Sequence, residues 1–186
     1  MTLTLPNVLT WIRIIVIPLI VLVFFLPVPW SRPAAGLLFA LAGVTDLLDG
    51  YLARKLGQTS KFGAFLDPVA DKLVVATALV LLVQADPAMF VAIIAAIIIG
   101  REITISALRE WMSQVGAQTT VAVSFFGKLK TTLQIIGISL MLYYDSLLGL
   151  PIYDIGKVAL FVAAGLTLWS MVGYLRAAWP VMVKQD

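Results

Sequence analysis

Four carboxylates, Asp46, Asp49, Asp67 and Asp71, fall within the 26 residues DLLDGYLARKLGQTSKFGAFLDPVAD and make up four of the ten acids in the chain. Asp46 and Asp49 are three apart, and Asp67 and Asp71 four apart. On helices each pair shares a face, and the two pairs can converge across a hairpin. Ionised residues at membrane depth cost about 2.5 to 3.5 kcal/mol each at mid-helix, so a cluster of like charges needs a cation or a water-filled cavity to compensate it. Arg54, Lys55, Lys61 and Lys72 can neutralise part of the charge. Divalent cations answer it better: an all-oxygen carboxylate set suits Mg or Mn, and shared carboxylates can bridge two ions. Two such ions can polarise a phosphoryl group and neutralise a leaving phosphate, while a remaining carboxylate takes the proton from an attacking hydroxyl. The plainer alternative is that the acids cap helix ends, and Asp67 followed by Pro68 reads as an N-cap with proline at the first helical position. That accounts for one acid and leaves three.

The chain has no Cys and no His, which excludes thiolate and imidazole nucleophiles, bases and metal ligands. Gly50, Ala53, Gly57 and Gly63 are small where the helices meet the acids. They leave room for a bulky phosphorylated group to approach the backbone, or they serve close helix packing. A second group is basic: Arg101, Arg109, Lys128 and Lys130. Arg forks and Lys point charges of this kind suit an acceptor that bears a phosphate; the alternative is anchoring to lipid headgroups. Arg109 with Lys128 and Lys130 is the preferred cradle, with Thr131 as a hydroxyl donor and Glu102 and Glu110 as partners for some of the cations.

The elements that carry these residues belong in lipid. The chain of 186 residues is 61% hydrophobic and 12% charged, with mean hydropathy +1.03, whereas a soluble domain is about one quarter charged. Stretches free of Asp, Glu, Lys and Arg cover 14–31, 33–45, 73–85, 87–100, 131–144 and 158–175. Their apolar character is continuous rather than alternating, and Pro, Gly and Asp separate them. The expected fold is all-α: a polytopic membrane protein of six transmembrane helices, 1–186 forming one domain. Four of the runs have only 13 or 14 residues, and a span needs about 20, so the helices must continue into Asp46 and Asp49, Asp71 and Lys72, Arg101 and Glu102, and Lys128 and Lys130. Outer connections at 27–33, 84–88 and 145–157 then hold only Arg32 and Lys157 of the 13 basic residues. By the positive-inside rule the other side is cytoplasmic, with both termini and a polar cavity facing the cytosol. The opening MTLTLPNVLTWIR is expected to lie partly along the interface as a short N-terminal segment, and Trp169 to pack within the sixth helix while the other tryptophans sit near span ends. The net charge of +3 is explained by topology and anionic lipid and needs no nucleic acid partner.

The acidic segment resembles the signature of the CDP-alcohol phosphatidyltransferases: D, two residues, DG, two residues, AR, eight residues, G, three residues, D, three residues, D. Asp46, Asp49, Gly50, Ala53, Arg54, Gly63, Asp67 and Asp71 fill it. The resemblance extends through PNVLTWIR, REITISALREWM and VAVSFFGKLKTT and is closest to bacterial members. It implies a homodimer in the bacterial inner (cytoplasmic) membrane. It also implies a cytoplasm-facing cavity in which the hydroxyl of glycerol 3-phosphate displaces CMP from CDP-diacylglycerol. By the same resemblance Asp46, Asp49 and Asp67 are metal ligands that also hold the CDP diphosphate, and Asp71 is a metal-associated general base. Gly50, Ala53, Arg54 and Gly63 fall at CDP-binding positions, and the cofactor is Mg or Mn, two ions. Two other readings stand beside this one. A sibling enzyme would use another acceptor, such as inositol phosphate. A divalent-cation transporter would need acids or broken helices near the midplane, yet the runs above the acids are uninterrupted and apolar.

Overall fold

A computed structural model describes residues 5–56, 61–116 and 125–183; within these, the side chains of 5–7, 9, 47–56, 61, 62, 64, 125, 126 and 128 fall outside the description. Among the described residues there are six helices and no strand: α1 (Leu5–Phe24), α2 (Ser31–Leu56), α3 (Lys61–Ala85), α4 (Met89–Gln114), α5 (Phe125–Tyr143) and α6 (Ile152–Val183). The runs 33–45, 73–85 and 158–175 lie wholly within α2, α3 and α6, and those at 87–100 and 131–144 overhang α4 and α5 by one or two residues, whereas the run 14–31 outlasts α1, which ends at Phe24. Every helix also takes in charged residues beyond its run. α2 reaches beyond Asp46 and α4 beyond Arg101, and α3 starts ten residues before Asp71. α4 and α6 are long and apolar enough to cross a membrane, while the apolar parts of α1 and α5 are shorter, Thr10–Phe24 and Leu129–Tyr143.

α5 packs most extensively on α6, α1 on α2, and α2 on α5. Two of these contacts depend on glycine. A Cβ on Gly36 would stand 2.6 Å from Tyr143 N, and one on Gly137 would stand 2.9 Å from Leu160 N, so α2 approaches α5, and α5 approaches α6, backbone to backbone. Between membrane helices such close contact supplies the packing energy that the hydrophobic effect cannot. The main core runs through the bundle with Ile20, Phe39, Leu79, Leu82, Ile98, Ile138, Leu142 and Leu160 buried. A smaller cluster of Ile105, Leu108, Met112 and Ala178 joins α4 to α6.

Three expectations are corrected. Asp67 is not an N-cap: α3 begins at Lys61 and runs through Pro68, which costs the one helical hydrogen bond that proline cannot donate. The carboxylate that could have capped this helix instead accepts a hydrogen bond from Thr10 of α1. The N-terminal segment is not a separate element from Leu5 onward, because α1 is one helix with Pro18 inside it. Trp169 does not pack inside the bundle and is 77% exposed. Part of that exposed surface lines a cavity between the helices.

The other end of the bundle is held by its own polar group. Tyr153 donates to Asp86 Oδ2 at 2.5 Å, and Lys157 Nζ lies 3.2 Å from the same oxygen. The Arg32 guanidinium lies over the Phe24 ring at 4.6 Å and the Tyr144 ring at 4.9 Å. The hydrogen bond from Tyr153 and the charge of Lys157 hold the Asp86 carboxyl below its usual range. These contacts tie Asp86 to α6, and the start of α2 to the end of α1 and to Tyr144.

Candidate active site

At the opposite end α1, α2 and α3 bring three of the four signature acids onto one helix face of α1. Arg13 Nη1 stands 3.2 Å from Asp46 Oδ1 and bonds to Asp71 Oδ1. Thr10, three residues before it on the same face, donates to Asp67 Oδ1. Thr10 is 0% and Arg13 2% exposed, so the only charge among the first 31 residues is an interior one.

Asp46 and Asp71 line a cavity of about 650 Å³ whose lining also includes Arg101, Glu102, Arg109, Lys130 and Thr131. Arg101 of α4 donates to Glu102 at 2.7 Å and to Ser170 of α6 at 3.3 Å. Lys130 Nζ lies 3.8 Å from the same Glu102 carboxylate. Arg109 donates to the Tyr174 hydroxyl at 2.7 Å, and its guanidinium lies 5.1 Å from the centre of that ring. The same ring faces Arg101 at 5.8 Å. A ring face beside two guanidiniums relieves part of their mutual repulsion through its quadrupole. Thr131 spends its hydroxyl proton on the Gly127 carbonyl, 3.0 Å away. Apolar side chains, Phe39, Val74, Val75 and Ile135, extend the cavity toward the core.

Of the residues singled out in the sequence, the fold thus gathers Asp46, Asp71, Arg101, Arg109, Lys130 and Thr131 around one cavity. Asp67 lies one helical turn before Asp71, and Gly63 is buried a turn earlier. Asp49, Gly50, Ala53 and Arg54 continue α2 beyond Asp46, and Lys128 precedes Lys130 on α5, but their side chains fall outside the described residues. Sequence reasoning missed Thr10, Arg13, Ser170 and Tyr174. A lone arginine in a 31-residue apolar stretch, with a hydroxyl three residues before it, was a readable signal; Ser170 and Tyr174 gave none until α6 was set beside α4.

The donor chemistry fits a divalent cation. Carboxylates from α2 and α3 already meet at a single cationic nitrogen, and oxygen-only sites of this kind suit Mg or Mn. Among the described residues no group of three acidic side chains comes within reach of one ion; the side chain of Asp49 lies outside that set.

The sequence pattern of the CDP-alcohol phosphatidyltransferases matches residues 3–172. Over 185 residues, covering 100% of both chains, the sequence is 50% identical to proteins of Shigella flexneri serotype 5b (strain 8401) and Escherichia coli (strain K12). Both carry the name CDP-diacylglycerol--glycerol-3-phosphate 3-phosphatidyltransferase.

Proposed function

This chain belongs to the CDP-alcohol phosphatidyltransferase family, and on that premise we propose that it transfers the phosphatidyl group of CDP-diacylglycerol to glycerol 3-phosphate, giving phosphatidylglycerophosphate and CMP. The observation that carries the reading is the 50% identity, end to end, with relatives whose name states that donor and that acceptor. The cavity supports it, because Asp46 and Asp71 line it together with Arg101, Arg109 and Lys130. A phosphate-bearing acceptor gives the cations a purpose; serine or a free alcohol leaves them without one.

Asp46, Asp49, Asp67 and Asp71 would hold two divalent cations, Mg or Mn, which supply polarisation of the phosphoryl group and neutralise the departing phosphate. Gly50, Ala53, Arg54 and Gly63 admit the nucleotide close to the backbone of α2 and α3. Arg109, Lys130, Lys128 and Arg101 grip the phosphate of the acceptor, with the Thr131 oxygen beside them, and so fix its hydroxyl near the acids. Asp71 takes the proton of that hydroxyl. The oxygen bonds to the phosphorus that carries diacylglycerol, the bond from this phosphorus to CMP breaks, and CMP leaves with the electron pair. Direct displacement inverts a chiral phosphorus, and retention would point to a covalent intermediate.

The same reading makes 1–186 a single membrane-embedded domain of six spans. Both termini and the cavity then lie on the cytoplasmic side of a bacterial inner membrane, and the enzyme is a homodimer. The deciding assay is CMP release by detergent-purified protein given CDP-diacylglycerol and Mg with glycerol 3-phosphate, serine, inositol phosphate or no acceptor. Release with glycerol 3-phosphate alone, abolished by chelator, is expected. Release with inositol phosphate would identify a sibling enzyme, and metal uptake into vesicles without CMP would identify a transporter.

A further inference from the structure

A guanidinium enclosed where three helices meet is costly unless its charge is met. Arg13 is such a group, 2% exposed, with Asp46 and Asp71 on the same nitrogen. Reciprocally, two carboxylates that meet at one point repel each other, strongly so where water is scarce. The single positive charge between them lets both negative charges stay there. A divalent cation would satisfy the same oxygens with twice the charge. Arg13 and the metal are therefore rivals for one pair of carboxylates.

We propose that Arg13 is the resident counter-cation of the acidic site: its guanidinium holds Asp46 and Asp71 together while no metal is bound and yields them to a divalent cation as that binds. The inference rests on the metal-dependent reading of the site given above. It makes Arg13 a positioning residue that acts through the two carboxylates, and it separates Arg13 from Thr10. Thr10 orients Asp67 with a neutral hydrogen bond and has no charge to exchange with a metal. It also explains why an apolar first helix carries one arginine: without it, Asp46 and Asp71 would face each other uncompensated until metal arrived.

The test is thermal unfolding of the purified full-length protein against Mg concentration, from excess chelator to saturation, in the wild type, Arg13→Met, Arg13→Lys and Thr10→Val. Arg13→Met is expected to unfold at lower temperature than the wild type in chelator and to gain more from Mg. Its half-saturating Mg concentration should fall severalfold, within the roughly 5- to 150-fold span common for coupled binding events. Arg13→Lys keeps the charge but replaces a fork by a point, so its half-saturating concentration should lie between the two. Thr10→Val should show no such fall. A deficit in Arg13→Met that is equal in chelator and in Mg, with unchanged half-saturation, would make Arg13 a packing residue only and overturn the inference. If Arg13→Met does not fold, Arg13→Lys decides: a lowered half-saturation supports the inference, and wild-type behaviour overturns it. A wild type that neither responds to Mg nor releases CMP brings down the underlying reading and the inference with it. A responsive wild type beside an unmoved Arg13 series brings down the inference alone.

Discussion

Replacing Asp71 by Asn keeps the size of the side chain and removes its capacity to take a proton. If Asp71 is the base, Asp71→Asn should lower kcat by about 10²- to 10⁴-fold, the usual contribution of general-base catalysis, with the thermal midpoint near that of the wild type. Full activity in this variant would move the proton transfer elsewhere. Tyr174 invites a finer experiment. Its hydroxyl accepts from Arg109 and its ring lies beside both Arg109 and Arg101, so it orients the cations without touching the reacting atoms. Tyr174→Phe removes one charge-assisted hydrogen bond and keeps the ring. A loss of about 1 kcal/mol, roughly fivefold, should appear in KM for glycerol 3-phosphate, with kcat and KM for CDP-diacylglycerol unchanged. A fall in kcat alone would place Tyr174 elsewhere in the reaction.

Helices carry the next set of consequences, because in this bundle they meet at glycines. A methyl group on Gly36 would press on the backbone of Tyr143, whereas one on Gly165 meets nothing within 4 Å. Gly36→Ala should therefore lower stability by about 1 to 3 kcal/mol, the range for overpacking. Gly165→Ala should be neutral or slightly stabilising, since alanine favours a helix over glycine. Equal midpoints for the two variants would mean that α2 and α5 are not in backbone contact. The connections at the other end add a pH dependence. Folding holds the Asp86 carboxyl below its usual range, chiefly through the Tyr153 hydroxyl. Its stabilising effect is then present above the unfolded-state pKa, about 4, and is lost as pH falls through the lower folded value. The gap in midpoint between wild type and Asp86→Asn should hold steady from neutrality down to about pH 5 and close in stronger acid. A gap that widened in acid would reverse the assignment.

Across the whole molecule the exposed residues include Met89 at 78%, Trp169 at 77%, Leu22 at 68% and Val158 at 65%. A water-soluble surface does not carry so many large apolar groups together, and lipid covers them at no cost. Seven of the described cations are sorted along the bundle: Arg13, Lys72, Arg101, Arg109 and Lys130 surround the cavity, while Arg32 and Lys157 sit with the connections at the far end. With no native Cys, single cysteines can report sidedness directly. In intact spheroplasts a membrane-impermeant maleimide should label Leu147→Cys at once and Gln114→Cys only after permeabilisation. The reverse pattern would turn the enzyme over in the membrane.

The number of helices, their charged ends and the four acids could all be read in the residue order, because each is a local property: a run of apolar side chains, a three- or four-residue spacing, a charge left over where a span must end. Asp67 shows where local reading stops. Asp-Pro fits a helix start, yet the partner for that carboxylate is Thr10, 57 positions away, and no local rule holds such a contact. Arg13 shows the same limit from the other side, since it was visible as a lone charge but acquired a role only when α1 came to rest against both α2 and α3. The cations of α4 and α5 were recognised as a group, whereas Ser170 and Tyr174 that align two of them lie more than 60 residues further on. Residue types and spacing set what chemistry the chain can attempt. Which side chains share the cavity, and which cation stands on which carboxylate, depended on how six helices pack, because those distances are sums over the whole bundle.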